Sequence, residues 1–475
     1  MTIQEERSGT LALPRVDVSA IGPLTVLLIG SLLFGLMMIV ATPPLRGPDE
    51  TAHFLRAYAI AQGDFVPSTR DDQGRKGVFL PPRLHAGFDY FESARTRARR
   101  PGGYGPVFRA YFSEPPGPNP AGPPIFVPYG GSEGYSPIAY LPQSAAALVA
   151  RALDLDFLAT QYLMRLAGLL AISGTIAAAV ALMRPLAWPL VVIAMLPAAL
   201  YGRAVINADG SALAAAVMVT VLWLRGMLNP ELHHAGRQSF WMALGVLTKP
   251  PIVAFVLLAL ISLGSERRWR VLALMTVPAI TAALLWTLAS GSDTASWRMV
   301  EITGHEPAAF DPAHRIAYLL GNPLHFPLAV VRAVSEKDLG ELWRQAIGVL
   351  GLFDTVLHGW VYPTLTATLF ASFVVRIPST PAVRAQVALT AALTILCYAI
   401  VVYFICYLVF TPLDADSVWG VQGRYFVPVL PLLAIVIAAL VNRSPAPWLG
   451  AAIAVFAATL SGLASVIAII DMDWN

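Results

Sequence analysis

Two adjacent carboxylates and a histidine stand together in Pro48-Asp49-Glu50-Thr51-Ala52-His53. Helical spacing puts Asp49 or Glu50 on one face with His53, at i,i+4 or i,i+3. At a membrane surface such a group can serve as a general base, or hold a divalent cation (Mg or Mn) through oxygen ligands. The plainer reading is a helix start, because proline followed by acids in a first turn answers the helix dipole. Asn207-Ala208-Asp209-Gly210 poses the same choice: Asp209 is a second carboxylate for the site, or Asn207 and Asp209 are caps. Lys249, in Leu247-Thr248-Lys249-Pro250-Pro251, is an ammonium inside an apolar stretch. There it either meets an anionic head group, or snorkels to the interface or makes a structural pair with a carboxylate. Gly420-Val421-Gln422-Gly423-Arg424-Tyr425-Phe426 offers the planar fork of Arg424 to phosphate or carboxylate, with Gln422 and Tyr425 beside it. The alternative is an interfacial Arg/Tyr anchor. His305, Glu306, Asp311, His314 and His325 share a segment, but their spacing is irregular for zinc.

These residues sit in a chain of 475 residues that is 56% hydrophobic and 13% charged, with a mean hydropathy of +0.64. Soluble domains carry about a quarter charged residues, so the solvent of this chain is mostly lipid. Basic stripes, zinc spacing and aromatic platforms are absent, which leaves nucleic-acid binding without support. No Walker loop, GxSxG elbow or HExxH occurs. Cys397 and Cys406 share one apolar run and read as free core thiols. The abundance of Ala, Pro, Gly and Arg suggests a bacterial source.

Residues 1–20 are polar and read as a cytoplasmic tail. The first apolar run, 21–42 with its edges, is long enough to span and is followed by Pro43 and Pro44 in place of a cleavage site, so it reads as an anchor. Further runs of spanning length lie at 157–183, 185–201, 211–228, 271–290, 357–375, 385–410, 425–441 and 448–470. Each must be helical, since lipid satisfies no free backbone group. Excess Lys and Arg marks cytoplasmic loops, and Arg184, Arg225, Arg237, the cluster at 266–270, Arg376, Arg384 and Arg443 are assigned inside. Segment 240–263 then reads as a hairpin of two short helices meeting at Lys249, where consecutive prolines interrupt helix. Segment 136–152 reads as an external re-entrant or interfacial helix.

The sequence therefore predicts an all-α polytopic bundle of about eleven crossings. The N-terminus is cytoplasmic and the C-terminus external. Residues 43–156 form a long first external loop, and 157–475 the main bundle. Within the loop, 48–62 reads as an amphipathic helix offering Phe54, Leu55, Tyr58 and Ile60 to lipid. Its Pro/Gly-rich part, 101–128, reads as loop or lid without helix. Segments 43–135, 207–210, 291–354 and 411–424 all face outward, which gathers the candidate residues on one side.

Taken together, PPLRGPDETAHFLRAYAIAQGD, SPIAYLPQS, NADG, LTKPP, LGLFD and GVQGRYFVPVLPLL resemble the bacterial membrane proteins of domain-of-unknown-function family 2142. The likeness runs from about the first span to Pro431. That family is generally grouped with the GT-C glycosyltransferases, which use polyprenyl-phosphate-linked sugars. The resemblance implies a GT-C type bundle in the inner membrane and a carboxylate base, Asp49 or Glu50, sometimes with a metal held there. It implies a further acid at Asp209, basic groups Lys249 and Arg424 for the donor phosphate, and transfer with inversion to an envelope glycan, lipid or protein. Two other classes remain: a transporter or flippase for lipid-linked intermediates, and a non-catalytic scaffold. The first needs polar residues along a path through the bilayer, and the spans offer few, Arg165 among them.

Overall fold

The computed structural model describes residues 22–95, 102–114, 122–229, 235–260, 268–290, 299–300 and 302–475. The expected cytoplasmic tail, and residues 266 and 267 of the basic cluster at 266–270, lie outside them. Helix α1 (Pro23–Ala41) starts with proline at its first turn and ends at Thr42. After it come α2 (Glu50–Ala61), β1 (Gly77–Leu80), α3 (Pro82–Ala94), α4 (Gly105–Ser113) and β2 (Ile125–Pro128). Next are α5 (Leu141–Ala152), α6 (Phe157–Leu182), α7 (Ala187–Met195), α8 (Pro197–Ala204), α9 (Asp209–Leu228) and α10 (Ala235–Thr248). A 3-10 segment, Pro250–Val256, leads into α11 (Leu257–Leu260), and then into α12 (Arg268–Ser290). The amphipathic helices α13 (Pro312–Gly321), α14 (His325–Glu336) and α15 (Leu339–Gly348) precede a two-stranded hairpin, β3 (Val349–Leu350) with β4 (Thr355–Val356). Helices α16 (Val361–Ser372), α17 (Pro381–Val409), α18 (Leu430–Val441) and α19 (Pro447–Asp473) complete the chain.

Among the described residues, seven helices are long and apolar enough to cross a membrane: α1, α6, α9, Leu272–Ser290, α17, Gly423–Val441 and Trp448–Asp473. An all-α membrane bundle is therefore the architecture. The run at 185–201 is a pair, α7 and α8, bent by 68° where Pro197 interrupts hydrogen bonding. Residues 357–375 are helical only over Val361–Ser372, which is short for a span. The expected break at Lys249 is present: α10 ends at Thr248 and a 3-10 turn starts at Pro250. Lipid is the natural cover for the outward apolar side chains of α1 (Leu28, Ile29, Leu33) and α12 (Val277, Leu284, Leu288), all more than a third exposed.

The first loop differs from expectation in two ways. Phe54, Leu55, Tyr58 and Ile60 are buried, not turned to lipid; they pack with Phe88, Phe91 and Phe157 in a second hydrophobic core. A loop this rich in aromatics buries more apolar area by folding on itself than by lying on the bilayer. Helix α4 also forms inside the Pro/Gly-rich stretch, starting where Pro106 occupies the first turn, and β2 pairs antiparallel with β1. Segment 136–152 holds a 3-10 turn and the 12-residue α5, which packs on α2 and α6.

Candidate functional site

Asp49 precedes α2 with φ 54°, a left-handed conformation that Asp tolerates better than most residues. Its carboxylate makes no helix-cap hydrogen bond. It accepts instead from Arg424 Nη2 at 2.8 Å. Asp209 resolves its own ambiguity in the same direction. The Asn207 Oδ1 caps α9, accepting from the backbone N–H of Asp209 at 2.9 Å. That leaves the Asp209 carboxylate to accept from Lys249 Nζ and, at 3.2 Å, from Arg424 Nη1.

One guanidinium thus joins two carboxylates, and Lys249 closes the set. Two anions and two cations alternate in a cluster whose side chains are 33% exposed at Asp49, 19% at Asp209, 10% at Arg424 and 8% at Lys249. Aromatic faces hold the cations. Lys249 Nζ lies 4.5 Å from the Tyr425 ring centre, and the Arg424 guanidinium 4.8 Å from that of Phe353. Gln422 Oε1 accepts from Arg424 Nε at 2.8 Å. All of these groups stand where helices start, end or break: before α2, at the start of α9, at the break after α10 and at the start of Gly423–Val441.

His53 stands one turn along α2 from Asp49, buried, with Nδ1 at 2.5 Å from the Tyr140 hydroxyl and its ring edge-on to Tyr135. Burial pushes its imidazole down to about 4, against the pull of the nearby Asp49 carboxylate. His53 therefore stays neutral at neutral pH, packed against Tyr135 and Tyr140.

Glu50 is placed elsewhere. It is fully buried and accepts from Arg165 Nε at 2.8 Å and Nη2 at 2.6 Å. The backbone N–H groups of Gly47 and Ile206 donate to the same carboxylate at 2.9 and 3.0 Å. Arg165 uses its remaining donors on the carbonyls of Ile39, Thr42 and Pro43 at the end of α1. Glu50 and Arg165 are thus one structural pair that seals the end of the first span against α6 and the segment before α9. The expectation that Glu50 shares the site with Asp49 is corrected: consecutive residues at a helix start diverge by about 100° in direction. Arg165, read as a candidate for a polar path, is this pair's other half.

A divalent cation does not fit this donor set. Asp49 and Asp209 face Arg424 and Lys249, while Glu50 faces Arg165. Among the described residues, no group of three or more His, Cys, Asp and Glu side chains is arranged to hold a metal. His305, His314 and His325 likewise converge on no common centre; His314 pairs with Asp311 and His325 with Tyr407.

The sequence reading missed the hairpin that carries Phe353 and Asp354, although LGLFD marks it. Gly351 and Phe353 both adopt positive φ, 61° and 63°, an unusual state for phenylalanine. The turn sets Phe353 under Arg424 and sends the Asp354 carboxylate to Arg46, bidentate at 3.2 Å. Arg46 also bonds Asp473 at the end of α19, with Nη2 at 2.7 Å.

Beside the cluster lies a cavity of about 260 Å³. Its walls are largely apolar, from Tyr398, Val402, Ile405, Val409 and Phe410, and Lys249, Glu133 and Tyr425 are among its polar lining residues. A slot of this kind suits a hydrocarbon chain whose anionic head reaches the lysine. Against known proteins, the chain matches the family model "Predicted membrane protein (DUF2142)" over residues 32–433. No curated protein and no solved structure matches.

Proposed function

For a chain that belongs to the DUF2142 family of predicted membrane proteins, we propose the activity of a membrane glycosyltransferase of GT-C type. It takes a sugar from a polyprenyl-phosphate donor and passes it to an envelope acceptor on the face opposite the N-terminus. The observation that carries this reading is the largely apolar cavity lined by Lys249, next to the Asp49–Arg424–Asp209 cluster. In this reading the seven long spans, the bent pair and the short helices α10, α16 and the 3-10 segment with α11 add up to about eleven crossings. The membrane is the bacterial inner membrane, and the cluster faces outward.

The chemistry assigned to each group follows from its charge and exposure. The prenyl chain lies in the cavity, and its phosphate takes donors from Lys249 and Arg424, the latter steadied by Gln422 and Phe353. Asp49 is the general base, since it is the more exposed of the cluster's carboxylates, 33% against 19%. The acceptor hydroxyl oxygen attacks the anomeric carbon, its proton passes to Asp49, and the bond from that carbon to the phosphate oxygen breaks. The sugar inverts, and the lipid phosphate leaves with the bonding electron pair. Asp209 keeps Lys249 and Arg424 in place for the developing charge on the leaving group. Tyr425 and Tyr135 line the cavity, and His53 supports Tyr135 from behind.

The test is purified protein with radiolabelled polyprenyl-phosphate sugars and envelope extracts as acceptor. Transfer that disappears in Asp49→Asn, while the variant elutes as the native protein does, supports the reading. Unchanged donor under every acceptor removes it and leaves the scaffold role, in which the four charges only brace the helix ends.

A further inference from the structure

Two consecutive helices, α13 and α14, turn an arginine inward and a row of apolar side chains outward. Arg315 is only 1% exposed, whereas Ile316, Leu320, Leu324, Leu328 and Val331 are between 46% and 82% exposed. The Arg315 guanidinium sits on the end of α17, 4.4 Å from the centre of the Tyr407 ring. It donates to the Tyr407 hydroxyl at 3.2 Å and to the carbonyls of Thr411, at 2.8 Å, and Pro412. His325 Nδ1 bonds the same hydroxyl at 2.6 Å. Helices surrounded by water sort their side chains the other way, because withdrawing apolar area from water is the main gain of folding.

Neither helix can cross a bilayer. With 10 and 12 residues they extend about 15 and 18 Å, roughly half the hydrocarbon thickness of about 30 Å. Yet both are fastened to the last turns of a helix long and apolar enough to cross, since α17 ends at Val409 and their polar contacts are Tyr407 and the carbonyls just beyond it. They therefore lie at the level where hydrocarbon gives way to head groups. Their apolar row also continues that of the span. Leu389, Leu393, Leu396, Ile400 and Phe404 recur every three or four residues along α17, and all are exposed. At the end of this stripe the Phe326 ring of α14 meets Phe404, with ring centres 5.3 Å apart. Lipid that covers the stripe reaches the row without a break.

We infer that α13 and α14 are a membrane-surface seat: they lie in the head-group layer at the Phe410 end of α17 and sink their apolar row among the acyl chains. The contact is apolar in kind. Arg332 is paired with Asp416 at 3.1 Å and His314 with Asp311 at 2.8 Å, so seating needs no anionic lipid. The seat bears on the site as well. Phe310 and Pro312, the latter the first residue of α13, line the cavity that holds Lys249. A bilayer that fixes α13 fixes this wall of the cavity at head-group depth, where the anionic end of an amphiphile arrives. The inference goes beyond the transfer reading and stands without it.

The experiment uses the full chain in phosphatidylcholine nanodiscs, with Cys397 and Cys406 replaced by alanine and one nitroxide at a time on Leu320→Cys, Leu328→Cys, Leu396→Cys or Asp416→Cys. Power saturation compares collisions with oxygen, which concentrates among acyl chains, and with a water-soluble nickel chelate. Leu396→Cys on the α17 stripe gives the value for lipid inside the span, and Asp416→Cys the value for water. The labels at 320 and 328 should favour oxygen and lie about 5–10 Å below the head-group boundary, between those two references. Both native side chains are exposed, so the nitroxide displaces no packing. Nickel access at 320 and 328 equal to that at 416 puts the row in water and overturns the inference. Shielding of both positions from oxygen and nickel alike also overturns it, because a second copy or another protein then covers the row.

Discussion

Asp49 and Arg424 are separated by 375 residues of sequence and meet at 2.8 Å. That contact ties the loop after the first span to the helix start at Gly423. Through the second amino group of the same guanidinium it also reaches Asp209.

Neighbouring acids in one sequence motif should fail in different ways. Asp49→Asn removes a part-exposed ion pair, with a stability change of no more than about 1 kcal/mol, and abolishes sugar transfer. Glu50→Gln strands the buried Arg165 guanidinium and costs about 3–5 kcal/mol, seen as a lowered melting temperature and reduced membrane yield. Thermal melting of the purified variants beside the transfer assay separates the two. A stable, inactive Glu50→Gln would contradict the assignment.

Removing Lys249 should weaken donor binding more than turnover. Lys249→Met deletes one charge-assisted contact to the phosphate, so KM for the polyprenyl-phosphate sugar should rise about tenfold or more with a smaller change in kcat. Arg424→Lys should lower both, because one ammonium cannot reproduce a planar fork shared between two carboxylates. Steady-state kinetics over a range of donor concentrations gives the split.

His53 makes stability depend on pH. Its imidazole is held down to about 4 from an ordinary 6.5. Above 6.5 the folded and unfolded chains are both neutral there, and the full contribution is present. As pH falls from 6.5 toward 4, the unfolded chain takes up a proton that the folded chain refuses, and about 3 kcal/mol of stability is lost. Melting curves of the native protein between pH 7.5 and 4.5 should show this slope, and His53→Gln should flatten it. A slope unchanged in the variant would place the titrating group elsewhere.

Orientation is open to chemical labelling of intact cells. In a background with Cys397 and Cys406 replaced by alanine, Asp414→Cys should react with an impermeant thiol reagent added outside. Ser444→Cys, beyond the far end of α18, should react only after lysis. The reverse pattern would put the cluster in the cytoplasm.

The sequence carried the bundle because lipid leaves few solutions: long apolar runs must be helices, and consecutive prolines after Lys249 must break one. It also carried Asp49, Asp209, Lys249 and Arg424, since charges are rare here and each stands at a helix end. It could not decide between Asp49 and Glu50, because which of two adjacent carboxylates turns inward depends on Arg165, more than a hundred residues away. The fate of Phe54 and Tyr58 was hidden for a related reason. An apolar helix face looks the same whether it meets lipid or the aromatic cluster of Phe88, Phe91 and Phe157. Phe353 was legible only as part of a motif, because its left-handed backbone leaves no trace in composition.

The pairing of every charge in the cluster has one more consequence. An incoming anion finds both cations already paired and must displace a carboxylate that stays tethered beside it, so the cluster turns from neutral to net negative as the anion arrives. The displaced Asp49, relieved of its guanidinium, becomes a stronger proton acceptor only once the anion has arrived. Under the proposed transfer, the empty site keeps its own base quenched.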